Sequence, residues 1–187
     1  MIVFLDTEFS SLVLRPRLLS VAMVEGGGLC REFYGEVTDR MHFLSASRFA
    51  LETVVPQLGK VADAACTYHE LGLRLALFFT ELESALAVGE VVHLAFGYDL
   101  DWELVDTAIH DAGAPGWDAL RTRVHPVNVH ALTGQGHAQR VAEAYLNAQT
   151  GCAISRHHAL CDARALLRAY QAGRAGRPCD QDQRLRS

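Results

Sequence analysis

The hydrophobic pattern of this chain changes character near residue 45, and that change limits the folds open to it. Before it lie short apolar runs of strand type at 2–5, 18–24 and 29–37. The turn Glu25-Gly26-Gly27-Gly28 separates the last two, so they read as a hairpin. After it the periodicity becomes helical. Phe49, Leu51, Val54 and Val55 predict a short helix that stops at Pro56 or soon after Leu58-Gly59. Leu71, Leu75, Phe78, Phe79, Leu82 and Leu86, spaced by three and four, predict a long helix over 68–88 that Gly89 closes. A strand at 91–95, a helix at 101–112, a short strand at 125–129 and helices at 137–149 and 158–172 follow. A hairpin followed by alternating helix and strand predicts an α/β layered domain around a mixed sheet.

The chain of 187 residues suits one domain, placed at 1–172, with a polar, arginine-rich tail at 173–187. Half the residues are hydrophobic and 21% are charged, which excludes a disordered or fibrous chain. The longest apolar stretch, 71–79, is too short to span a membrane and carries Arg74 in its middle. The N-terminus meets Asp6 and Glu8 at once and lacks the basic region of a signal peptide. Five cysteines at irregular spacing suit a reducing compartment, so a cytoplasmic protein is expected. Residues 1–155 carry 10 basic and 19 acidic side chains, whereas 156–187 carry 7 and 3. An acidic body is not that of a protein that coats DNA, although its carboxylates could bind cations that in turn hold phosphates.

Three segments carry the chemistry. The first strand runs into Asp6-Thr7-Glu8, where alternation puts the Asp6 and Glu8 side chains on one face. Two carboxylates leaving an apolar strand repel each other, and a hard divalent cation such as Mg²⁺ or Mn²⁺ removes that conflict. The second segment offers Asp99 and Asp101. Asp101 has Leu104, Val105 and Ala108 at i+3, i+4 and i+7 and so begins the core-facing stripe, whereas Asp99 heads a mostly polar face. The third is Ser155-Arg156-His157-His158-Ala159-Leu160-Cys161-Asp162. Five residues on a helix turn about 140°, so His157 is expected on the loop before the helix and Asp162 in its early turns. A histidine beside such a carboxylate is placed to take a proton from water.

Together these segments resemble the three motifs of the DEDDh 3′–5′ exonucleases, members of the ribonuclease H-like superfamily. Phe4-Leu5-Asp6-Thr7-Glu8-Phe9 resembles the first motif and Tyr98 to Val105 the second. His157-His158-Ala159-Leu160-Cys161-Asp162-Ala163 matches the third, with His157 on the catalytic position. The second motif lacks the common His-Asn before its Asp, so Asp99 stays an alternative to Asp101. Within the family, the Leu-Asp-Thr-Glu-Phe opening is most similar to the small bacterial, mycobacterial-type exoribonucleases.

The resemblance covers residues 1–172 and implies a ribonuclease H-like three-layer fold. It implies that Asp6, Glu8, Asp101 and Asp162 hold two Mg²⁺ or Mn²⁺ ions while His157 accepts the proton of the attacking water. The implied partner is the single-stranded 3′ end of RNA, or of DNA, shortened to 5′-mononucleotides. Thr7, Phe9 and Trp102 are the candidate substrate contacts, since Phe9 and Trp102 flank the acidic residues and an aromatic ring can stack on a base. A homodimer is a candidate assembly.

Two other functions use the same residues: a hydrolase of dinucleotides or short oligonucleotides, and a non-catalytic nucleic-acid-binding module. Other chemistries fit less well. Cys152, His157, His158 and Cys161 match no common zinc spacing, and no Gly-x-Ser-x-Gly is present. The triple glycine lacks the Lys-Ser/Thr of a phosphate-binding loop.

Overall fold

A computed structural model describes residues 1–12, 15–27 and 31–175. The first three strands, β1 (Ile2–Phe9), β2 (Leu18–Glu25) and β3 (Glu32–Val37), form an antiparallel meander. A one-turn helix α1 (Arg40–Phe43) follows, then a π-type turn Ala50–Val54 that tightens into a 3₁₀ turn, Val55–Gln57. The two-residue strand β4 (Ala65–Cys66) leads into the long helix α2 (Tyr68–Ser84). Next come β5 (Val92–Phe96), α3 (Asp99–Asp111), α4 (Trp117–Arg121) and β6 (Val124–Asn128). Helices α5 (His130–Thr133), α6 (Gly136–Ala148) and α7 (Ala159–Ala175) complete the described chain.

The sheet order is β4-β3-β2-β1-β5-β6. The central strand β1 pairs antiparallel with β2 and parallel with β5, and β5 is parallel to β6. The sheet is therefore mixed and has helices on both faces, a three-layer α/β architecture compatible with the ribonuclease H-like fold. Every residue of β2 is buried, as befits a strand covered on both sides.

Side-chain alternation along β1 divides the core in two. Val3 and Leu5 join Leu71, Leu75, Phe79 and Leu82 of α2 and Leu104, Val105 and Ile109 of α3. On the opposite face Phe4 meets Tyr170 of α7, with ring centroids 5.1 Å apart, and Ala22 and Val24 pack on Ala159, Leu160 and Ala163. Helices α2 and α3 approach so closely at Gly72 that an added Cβ would lie 2.2 Å from the Ala108 carbonyl oxygen.

Several boundaries differ from the sequence expectation, each for a local reason. Asp6-Thr7-Glu8 lies inside β1 because β2 continues to pair with it: Thr7 opposite Val21, Glu8 opposite Ser20 and Phe9 opposite Leu18. Helix α2 stops at Ser84, because the Ala85 and Leu86 amides turn back to the Leu82 and Glu83 carbonyls three residues earlier. Gly89, with φ of +85°, lies beyond that stop. Helix α3 begins at Asp99, two residues before its apolar stripe. Helix α7 runs to Ala175, past the expected end at 172, and 176–187 lie outside the described residues. So do Gly28 to Cys30, the end of the expected hairpin turn and the start of the third strand. Among the described residues no helix is long and apolar enough to cross a membrane.

Candidate active site

The fold brings all three acidic segments to the C-terminal end of β1. Strand β5 pairs with β1 only along Ile2 to Phe4, so β1 runs on past its parallel neighbour. The chain leaving β5 turns there into α3. Asp101, 3% exposed, reaches the free edge of β1, where the Thr7 hydroxyl donates to Asp101 Oδ1 at 2.7 Å. The same alternation that points Thr7 at α3 points Asp6 and Glu8 toward α7, whose first turn carries Asp162. His157 lies on the loop just before that helix, as the rotation between it and Asp162 requires. Its backbone N–H donates to Asp162 Oδ2 at 2.9 Å, a five-residue loop closed on the helix start.

Glu8, His157 and Asp162 each offer a donor atom within 4.8 Å of the other two. Among the described residues this is the one group of three or more metal-type ligands at that spacing. One water or one cation spans such a gap. Asp6 and Asp101 lie outside this tight trio, but both press on it electrostatically. Burial, then the charges of Asp101, Asp162 and Glu8, holds the Asp6 carboxyl well above the usual carboxylate range. Burial, aided by Asp162 and Asp101, pushes Glu8 up to about 8. Burial lifts Asp162 to about 7 against the opposing His157 N–H and Arg156, and Asp101 to about 6 against the Thr7 hydrogen bond.

Burial makes all four acids resist ionisation, and at Asp6 and Glu8 the neighbouring carboxylates add to it, a conflict that a bound cation would relieve. Asp162 Oδ1 is also buried without a hydrogen-bond partner, a lone pair that a bound cation would satisfy. The candidate donors are the four carboxylates, a hard oxygen set that fits Mg²⁺ or Mn²⁺, with the His157 imidazole beside them. Asp6, Glu8, Asp101 and Asp162 could hold such ions. Burial, then the Arg156 charge, lowers the His157 pKa, which leaves its imidazole neutral and able to accept a proton at pH 7.

The neighbouring residues sort cleanly. Asp99 is exposed and accepts from Asn128 Nδ2 at 2.7 Å, which ties the start of α3 to the end of β6. His158 is only 1% exposed, stacks on Tyr34 with centroids 4.6 Å apart, and leaves both ring nitrogens without partners. Of the expected substrate contacts, Thr7 is buried with its hydroxyl on Asp101, so it orients that carboxylate rather than facing a ligand. Trp102 is drawn into packing with α4: its ring lies 6.4 Å from Trp117, with the Arg121 guanidinium 5.7 Å over it. Phe9 stacks on Tyr98 at 6.5 Å, and Tyr98 is 54% exposed. Sequence reasoning passed over Tyr98 as a stacking candidate although it begins the second motif. It also passed over Phe49, whose ring meets His157 edge-on at 5.0 Å.

A scan against protein-family models found no match to this chain, and a search of curated proteins found none either.

Proposed function

We propose that the protein is a metal-dependent 3′–5′ exonuclease that hydrolyses single-stranded nucleic acid, RNA in preference, to 5′-mononucleotides. The observation that carries this reading is the convergence of Asp6, Glu8, Asp101 and Asp162 from β1, α3 and α7 beside a neutral His157. Two Mg²⁺ or Mn²⁺ ions held by these carboxylates would supply Lewis acidity to the attacking water and to the leaving 3′ oxygen. The chain's own residues do the rest. His157 takes the proton from the water on an imidazole nitrogen. The Asp162 carboxylate holds the His157 backbone through its N–H, and Thr7 fixes the rotamer of Asp101. Phe9 and Tyr98, stacked at the end of β1, offer a ring face to a terminal base. Attack by water leaves the phosphate on the 5′ side of the released nucleotide.

The test is a digest of matched 5′-labelled RNA and DNA oligomers with Mg²⁺, with Mn²⁺ and with EDTA. A ladder shortened one nucleotide at a time from the 3′ end, faster on RNA and absent in EDTA, is expected. Cleavage of dinucleotides with longer strands left intact would make the protein a dinucleotide hydrolase. Binding of the oligomer without any cleavage would make it a non-catalytic module.

A further inference from the structure

His157 adopts φ of +65°, a left-handed conformation that a residue with a Cβ keeps only where its surroundings hold it. The Asp162 carboxylate holds its N–H from one side, and the two residues before it are held by one side chain about a hundred positions earlier. Gln57 Oε1 accepts from the Ser155 N–H at 2.9 Å and from the Ser155 hydroxyl at 3.1 Å. Gln57 Nε2 donates to the Arg156 carbonyl at 2.7 Å and to the Thr53 carbonyl at 3.2 Å. An amide side chain has two donors and two acceptor lone pairs, and here all four are engaged. Three of the four bonds fix the two residues that lead into His157.

The segment that carries Gln57 is anchored at its other end to the carboxylate strand. The Ser47 N–H donates to the Ser10 carbonyl at 2.7 Å, two residues past Glu8, and the Ser47 hydroxyl accepts from the Ala50 N–H at 3.1 Å. Between the anchors Ala50 and Val54 pack on Leu19 of β2. The Phe49 ring meets the His157 imidazole in a T-shaped contact. The strap therefore joins the end of β1 to the histidine loop, and its π-type turn is a feature frequent at functional sites.

We propose that Gln57 is a positioning residue for His157: through Ser155 and Arg156 it sets where the imidazole stands relative to Glu8 and Asp162. This rests on the reading of His157 as the proton acceptor. Gln57 does not touch the reacting atoms, and its effect passes wholly through the histidine. A displacement of about 1 Å at such a group costs up to about 10²-fold in rate. Gln57→Ala should accordingly lower kcat by about 10- to 100-fold and leave KM within about twofold. Gln57→Glu keeps the acceptor but turns a carboxylate oxygen toward two carbonyls, and should lose as much.

Two measurements separate positioning from mere support of the fold. The first is a double-mutant cycle in which Gln57→Ala is also made in the His157→Ala protein, where it should cost less than about twofold. Equal losses in both backgrounds would overturn the proposal. The second is amide hydrogen exchange on the metal-free protein, which does not depend on activity. Exchange at Ser155 and His157 should rise in Gln57→Ala while the β1 amides keep their protection. Unchanged exchange at those two amides would equally overturn it. A wild-type protein that hydrolyses nothing would overturn the functional reading and the catalytic role together, leaving exchange to report on the clamp alone.

Discussion

Replacing Glu8 by glutamine should flatten the pH dependence of stability in the metal-free protein. In the folded chain this carboxyl titrates near 8, against an ordinary glutamate value of 4.5. A carboxyl whose folded pKa is raised contributes stability that is fully present below its unfolded pKa and is lost as pH rises through the folded one. Between pH 6.5 and 8.5 the unfolded glutamate is already ionised, while the folded one is still giving up its proton. Integrating that difference in bound protons gives a loss of about 2 kcal/mol over the interval. The neutral amide of Gln has no such loss, and any packing cost it adds is constant with pH. Removing the Glu8 charge also relieves Asp6, whose pKa it helps to raise, so the second effect has the same sign. The assay is urea unfolding in EDTA at several pH values in that window, with wild type and variant side by side. The comparison cancels the shared groups whose titration Glu8 does not influence. Wild type should lose about 2 kcal/mol more than Glu8→Gln, and saturating Mg²⁺ should remove most of the difference in slope. Parallel curves in EDTA would refute the claim that Glu8 is held protonated by burial among other acids.

Other outcomes follow from the same geometry. Asp101→Asn should lower hydrolysis by orders of magnitude, whereas Asp99→Asn should change it little; steady-state rates at saturating Mg²⁺ decide, and the reverse ranking would make Asp99 the functional carboxylate. His157→Ala should lose about 10²–10⁴-fold in kcat, the range of general-base catalysis, with Mn²⁺ affinity little altered. His158→Ala should instead act on the fold, losing about 2–4 kcal/mol in chemical denaturation by emptying the space against Tyr34, while the folded variant keeps most of its kcat. Gly72→Ala should destabilise the protein by about 1–3 kcal/mol, because overpacking against Ala108 and Ala112 outweighs the gain of about 1 kcal/mol in helix propensity. A variant with a higher Tm would show that α2 and α3 can move apart at no cost.

What was legible in the sequence was what periodicity controls. Alternation placed Asp6 and Glu8 on one face of a strand, the apolar stripe from Asp101 marked it as the buried acid, and helical rotation put His157 on a loop. The extension of β1 through Phe9 was not legible, because Asp-Thr-Glu has no strand signature and is held there by the pairing of β2. Helices α1, α4 and α5 are four or five residues long, too short to show a period. The Trp102 ring could not be aimed from sequence, since its direction depends on where α4 packs. Gln57 left no trace at all. A glutamine after a proline has no pattern, and its partners Ser155 and Arg156 are 98 and 99 residues away along the chain. Contacts of that range come from the folded topology alone.

Asp6, Glu8, Asp101 and Asp162 are the proposed divalent-cation site on which the catalytic reading depends. Calorimetric titration of the metal-free protein with Mn²⁺ at pH 7, repeated in buffers of different ionisation enthalpy, tests it most directly. Raised proton affinity at Asp6 and Glu8 means that metal must displace protons. Two Mn²⁺ should bind per chain, with release of about one proton or more, and binding should be lost in Asp162→Asn. Heats independent of the buffer, or Mn²⁺ binding that survives in both Asp162→Asn and Asp6→Asn, would contradict that site.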